Sequence, residues 1–295
     1  MTRNITAGPL TVSRLGYGCW RFSGSSVAEA QAKVEAALAA GITLLDTAPI
    51  YGFGEEGFGD AEARLGDLFA AQPGLRDQVT LVTKAGIHPP VPYDSSYANL
   101  MSSAEASLQR LKTELIDLFL IHRPDFLASH AEVGRALSEL VASGKVRAVG
   151  VSNYTPAMTR ALQAHCDVPL VATQPEFSAL HPAPLYDGTL DLAQELGMMT
   201  MAWSPLGGGA LATGHGDHPR LGAVIAQLDR IAAEQDTRRD AVALAWVLAH
   251  PAHTVALIGS QSPERIRASA AAYDVTLSRA DWYAILEASL GERMP

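Results

Sequence analysis

The sequence predicts an α/β protein folded as a closed (β/α)8 TIM barrel, with a β-hairpin before the barrel and an extra C-terminal helix after it. Three observations carry this. Short segments rich in Val, Ile and Leu recur about eight times, each separated from the next by a stretch with helical spacing. These segments are apolar almost throughout instead of alternating, as strands buried on both faces of a parallel sheet are. Polar residues collect where the segments end, which is where the chemistry of such a barrel sits. A doubly wound open sheet is the alternative, but no strand runs at once into a Gly-x-Gly-x-x-Gly turn.

The elements follow in order. Gly8-Pro9 before the run 10–12 predicts the small hairpin. Residues 15–20 (Leu-Gly-Tyr-Gly-Cys-Trp) form a strand whose glycines admit a close neighbour. An Ala-rich helix over 27–40 stops at Gly41, a favourable residue after a helix end. Strand 42–46 closes on Asp46, with Pro49 and Gly52 breaking the chain beyond it, and helix 60–71 follows the loop 51–59. Strand 79–84 leads through a Pro-rich loop (88–94) to helix 98–111, and strand 115–122 to helix 129–143, closed by Gly144. Strand 146–151 ends on Ser152-Asn153, after which Thr155-Pro156 supplies a cap and a first-turn proline for the next helix. Strand 170–173 ends on Gln174-Pro175, a helix near 185–196 stops at Gly197, and strand 198–204 ends at Pro205. A glycine-rich loop, 206–216, separates it from helix 221–234. Helix 241–249, strand 255–258, a last core helix over 264–272 and a terminal helix from Ser278 through 290 complete the chain.

A length of 295 residues suits one barrel domain over 1–295. The hydrophobic and charged fractions, 48% and 18%, are those of an ordinary globular protein. A net charge of −9 and the lack of a basic stripe argue against a nucleic-acid partner. No apolar run reaches the roughly 18 residues of a membrane span, and no apolar stretch of a signal peptide follows Arg3. Cys19 and Cys166 have neither metal-ligand spacing nor neighbouring cysteines, so reduced thiols, a cytoplasmic location and no metal are expected.

The strand-end residues are Asp46, Lys84, His122, Ser152, Asn153, Gln174, Ser204 and the Gly259-Ser260 pair, with Tyr51 on the loop beyond Asp46. Singly, Asp46 reads as a turn former, Tyr51 as a half-buried aromatic, Lys84 as a surface lysine and His122 as a core histidine. Together, at the exits of three successive strands, a carboxylate, phenol, amine and imidazole meet in one pocket. Trp20, His88 and Tyr93, with Pro89 and Pro90, would give that pocket an apolar, aromatic mouth suited to a small molecule of little charge.

Residues 44–52 (Leu-Leu-Asp-Thr-Ala-Pro-Ile-Tyr-Gly), 82–86, 118–125, 150–153, 173–176 and 203–209 resemble the signature of the aldo-keto reductase superfamily. The run Met201-Ala202-Trp203-Ser204-Pro205-Leu206-Gly207-Gly208-Gly209 is similar to that of a bacterial branch of predicted oxidoreductases, and the resemblance spans essentially the whole chain. It implies NADPH-dependent reduction of an aldehyde or ketone to an alcohol. Tyr51 is then the general acid, Lys84 the ammonium that lowers its pKa from about 10, Asp46 the carboxylate holding Lys84, and His122 the donor that orients the carbonyl.

The resemblance also implies an extended nicotinamide dinucleotide across the barrel mouth. Ser152, Asn153 and Gln174 match the positions that bind the carboxamide, and Trp203 the aromatic that stacks on the ring. Ser204, Leu206 and Gly208 would line the pyrophosphate. Ser260 and Arg265 match the contacts to an adenosine 2′-phosphate, which favours NADP(H) over NAD(H). Gly259 stands where the family commonly has a lysine, and Ser269 where it has an asparagine, so a smaller preference is expected unless Arg267 compensates. Two other functions fit the same residues: a lyase that uses Lys84 as a Schiff-base amine, and a nucleotide-binding, redox-sensing regulatory subunit with slow turnover.

Overall fold

In the computed structural model, which describes residues 2–295, eight parallel strands close on themselves. A hairpin of β1 (Asn4–Ala7) and β2 (Leu10–Ser13) precedes them, as expected. Around the barrel run β3 (Leu15–Gly18), β4 (Leu44–Asp46), β5 (Thr80–Ala85), β6 (Ile116–Ile121) and β7 (Val146–Ser152). The circuit continues with β8 (Leu170–Gln174), β9 (Met199–Ala202) and β10 (Thr254–Ile258), and β10 pairs in parallel with both β9 and β3. Closure removes the open-sheet alternative.

Between and after the strands lie α1 (Val27–Ala39), α2 (Asp60–Ala71), α3 (Tyr97–Leu111), α4 (His130–Ala142), α5 (Pro156–Gln163) and α6 (Thr189–Leu196). The second half adds α7 (Ala210–Thr213), α8 (Leu221–Glu234), α9 (Arg239–Leu248), α10 (Pro263–Ala268) and α11 (Arg279–Leu290). Their ends obey local chemistry. Ser26 and Glu29 form a reciprocal capping box at α1, and Thr155 accepts the Met158 N–H at 3.2 Å, with Pro156 opening α5.

The hairpin decides which end of the barrel is open. Ala7, Leu10 and Val12 pack into the inner core with Leu44, Val82, Leu118, Leu120, Met199 and Leu257, closing the end at which the strands begin. The end at which they finish is left for ligands. α11 is fastened to α9 by two reciprocal bonds, Trp246 Nε1 to the Trp282 carbonyl at 3.0 Å and Trp282 Nε1 to the Trp246 carbonyl at 3.1 Å. Their indoles stack 5.0 Å apart. Among the described residues, no helix is long and apolar enough to cross a membrane.

Three stretches differ from expectation. The glycine-rich loop 206–216 contains a 3-10 turn, Gly207–Gly209, and α7, because its glycines take the left-handed conformation (φ 57°, 65° and 100°) and fold the loop back. α6 starts at Thr189, since Pro184 sits in a separate 3-10 turn and left-handed Gly188 stands between the two. The last core helix ends at Ala268 and tightens into a 3-10 turn, Ser269–Tyr273.

Candidate active site

Parallel register brings the strand ends level. Asp46 of β4 faces Gly18 of β3 and Val82 of β5, and Lys84 of β5 faces Leu120 of β6, the strand that delivers His122. Lys84 is fully buried and uses all three ammonium protons. It donates to Asp46 Oδ2 at 2.7 Å, to the Thr47 carbonyl at 2.9 Å and to the Tyr51 hydroxyl at 3.0 Å. Asp46 is held from its other side by Gln174 Nε2, 2.9 Å from Oδ1. The His122 ring meets Tyr51 edge to face, with centroids 5.8 Å apart. The four expected groups therefore converge, and an amine with every proton engaged is poorly placed for Schiff-base chemistry.

Charge states follow from burial. The carboxylate and phenol beside Lys84 hold its pKa above the usual lysine value against the pull of burial. Burial moves Tyr51 upward and the Lys84 ammonium opposes it, but burial prevails and the phenol lies above its ordinary value. The expectation of a lowered phenol is corrected on this point. His122 is held well below the ordinary histidine value by burial first, and then by the charges of Lys84 and Arg123. It is a neutral imidazole at neutral pH.

A cavity of about 740 Å³ opens above these groups. Asp46, Tyr51 and His122 line one end, whereas Lys84 stays behind them. Ser152, Asn153, Gln174, Trp203, Ser204, Leu206, Gly208, Ser260, Arg265 and Trp20, the sequence's candidates for cofactor and substrate contacts, all line it. Several are fixed by one another: Ser152 Oγ donates to the Gln174 carbonyl at 3.0 Å, and Asn153 Nδ2 to Ser152 Oγ at 2.8 Å. Asn153 Oδ1 accepts the Trp203 indole N–H at 3.0 Å, which sets the plane of that ring. A Cβ at position 259 would come within 3.1 Å of Trp20 Nε1, so the glycine in that position makes room for the indole.

Two expected contributors stay outside. His88 and Tyr93 lie on an exposed loop that folds back through an Ile87–Tyr93 bridge, and neither lines the cavity. Arg267 does not reach it either. Sequence reasoning missed Arg21, Asp240, Gln261, Ser262 and, most notably, Arg123, which lies over the Trp203 ring at 5.9 Å from its centroid. Its signal was its place directly after His122 at a strand exit.

A cavity lined by a phenol, an anchored indole, a glycine-rich turn and an arginine offers the donors and the stacking face that a dinucleotide uses. Barrel oxidoreductases are the class so defined. The chain belongs to the Aldo/keto reductase family, whose model matches residues 14–289, and whose members use nicotinamide cofactors. It is 48% identical over 296 residues to the 6-dehydroglucose reductase of Novosphingobium aromaticivorans, covering 99% of this chain and 97% of that one. It is 43% identical to the 6-dehydroglucose reductase of Agrobacterium fabrum, over the full length of both. The structure of the glycerol dehydrogenase from Gluconobacter oxydans superposes with a TM-score of 0.87 at 25% identity, covering 99% of this chain and 98% of that one. The chain is thus an enzyme that interconverts a carbonyl and an alcohol.

Lys84→Met leaves the Asp46 carboxylate, 4% exposed, without its counter-ion. Breaking a buried pair from one side costs about 3–5 kcal/mol. Urea unfolding should show a loss of that order, and wild-type stability in the variant would contradict the pairing.

Proposed function

We propose that the protein is an NADPH-dependent reductase of a sugar-derived aldehyde, with 6-dehydroglucose as substrate and Tyr51 as the proton donor. The observation that carries the chemistry is the Tyr51 hydroxyl itself, on the cavity wall and bonded from behind by Lys84. The substrate follows from the names of the two relatives at 48% and 43% identity. We also read the chain as a single, cytoplasmic domain. Support comes from the barrel and hairpin sharing one inner core, and from two cysteines that are both free thiols.

A nicotinamide held by Ser152, Asn153, Gln174 and Trp203 would supply the hydride when bound. The carbonyl oxygen, placed between Tyr51 and His122, receives a hydrogen bond from the neutral imidazole and a proton from the phenol. The phenolate left behind sits 3.0 Å from the Lys84 ammonium, which stabilises the new charge and is itself held by Asp46. Solvent then returns the proton to Tyr51. Trp203 offers a ring of fixed orientation for stacking, because Asn153 holds its indole N–H. Ser260 and Arg265 both line the cavity and would meet a 2′-phosphate.

Tyr51→Phe should lower the turnover of aldehydes by about 10²–10⁴ while leaving nucleotide affinity almost unchanged, since the hydroxyl supplies only the proton. In the unmutated enzyme, the raised phenol and the lowered imidazole leave kcat/KM for reduction flat from about pH 7 to pH 10, falling only at higher pH as the phenol ionises. Steady-state rates across pH check both statements. More than a tenth of wild-type turnover in the variant, or a loss of reduction between pH 7 and 9, would refute the assignment.

NADPH should bind at least about ten times more tightly than NADH, because one charge-assisted contact contributes roughly 1.5–3 kcal/mol. Arg265→Ala should erase most of that difference in a fluorescence titration. Equal affinities in the unmutated protein would overturn the cofactor preference but not the reductase reading.

A further inference from the structure

Arg14, Arg76 and Arg110, all half or more buried in this fold, spend donors on the protein. Arg14 donates to the Leu248 and Thr254 carbonyls, Arg76 pairs with Asp117 at 2.8 Å, and Arg110 with Glu62 at 2.7 Å. Arg123 does not. It is half-buried in the cavity wall, and among the described residues its side chain makes no hydrogen bond and no ion pair. Its one aromatic neighbour is Trp203, and that contact leaves the edge donors of the guanidinium unused. Its donors meet no protein acceptor and are not sealed from the cavity, so five N–H groups in the wall shared with Tyr51 and His122 are open to the oxygens of a ligand.

Position sets which part of the ligand that is. Arg123 directly follows His122 at the exit of β6 and shares the cavity with Tyr51. Its charge is felt at His122, where it helps to keep the imidazole neutral. Trp20 and Trp203 provide apolar faces nearby. Such a lining combines apolar ring faces with unused donors. It suits a short carbon chain that carries hydroxyls, whose oxygens accept from the guanidinium while the C–H edges lie against indole.

We propose that Arg123 is the specificity residue of this site: its guanidinium donates hydrogen bonds to hydroxyl oxygens next to the reacting carbonyl, so that polyhydroxylated aldehydes are preferred over apolar ones. The inference rests on the reductase reading and extends it by naming the residue that selects the substrate class. Arg123 supplies no proton and no hydride. Its contribution is to bind and orient, and it should appear mainly in KM.

The test compares kcat/KM for glyceraldehyde, propionaldehyde and succinic semialdehyde in the wild type, Arg123→Met and Arg123→Lys. The glyceraldehyde-to-propionaldehyde ratio should fall about ten- to a hundred-fold in Arg123→Met, chiefly through KM. Arg123→Lys should fall between, because an ammonium keeps the charge but loses the planar fork. NADPH affinity, read by fluorescence, should be unchanged in both variants, which also shows that they fold. If one variant does not fold, the other carries the comparison. An unchanged ratio, or equal losses on glyceraldehyde and propionaldehyde, overturns the proposal and leaves the reductase reading intact. A larger loss on succinic semialdehyde than on glyceraldehyde overturns it in favour of an anionic substrate. A wild-type protein that reduces none of the three overturns both.

Discussion

Everything at the mouth of this barrel depends on one buried ion pair. An ammonium with no exposure to water is costly unless all its protons are satisfied, and Lys84 meets that condition through Asp46, the Thr47 carbonyl and the Tyr51 hydroxyl. The constraint runs both ways. Asp46 must sit at the end of β4, and the chain beyond it must turn so that Tyr51 comes back over β5. Gln174 from β8 closes the arrangement across the barrel by holding the second oxygen of Asp46. Three strands and one loop are thereby fixed relative to one another by four hydrogen bonds around two side chains. A second buried carboxylate braces the same region from outside, since Glu62 of α2 accepts from Thr83 at 2.5 Å and from Arg110 of α3 at 2.7 Å.

The pair also decides the chemistry. Burial and charge act in opposition on Tyr51, and burial wins, so the phenol is held in its protonated form. On His122 burial and charge act in the same direction, and the imidazole stays neutral. The proposed reduction would therefore draw on a protonated phenol beside a neutral imidazole, backed by a cation able to stabilise a phenolate. This division of roles suits reduction of a polar double bond. It is a poor arrangement for amine nucleophilicity, because the amine has no free position.

Much of this was legible in the sequence, for physical reasons that can be named. Short, wholly apolar segments can only be strands buried on both faces, and eight of them interleaved with helices leave few architectures besides a closed barrel. Once the barrel is granted, Asp46, Lys84, His122, Ser152, Asn153, Gln174 and Trp203 converge because strand ends converge. Loop geometry was not legible in the same way. His88 follows β5 even more closely than Tyr51 follows β4, yet the bridge from Ile87 to Tyr93 folds that loop back on itself, and neither His88 nor Tyr93 lines the cavity. The turn at Gly207–Gly209 depends on successive left-handed residues that periodicity does not register. The direction of the phenol shift needed the balance of burial against charge, which a sequence shows only as the presence of a lysine. Arg123 was visible by its place after His122, but a sequence does not show that, among the described residues, its side chain makes no hydrogen bond.

The central claim is that hydride and proton reach a carbonyl at the Tyr51 end of this cavity. The most direct measurement follows the label from cofactor deuterated at its transferable position, with glyceraldehyde as acceptor and the product read by mass spectrometry and NMR. The account predicts glycerol carrying one deuterium on the former carbonyl carbon and none from solvent at that carbon. Alcohol formed without that deuterium, or substrate trapped on Lys84 by borohydride, would contradict it.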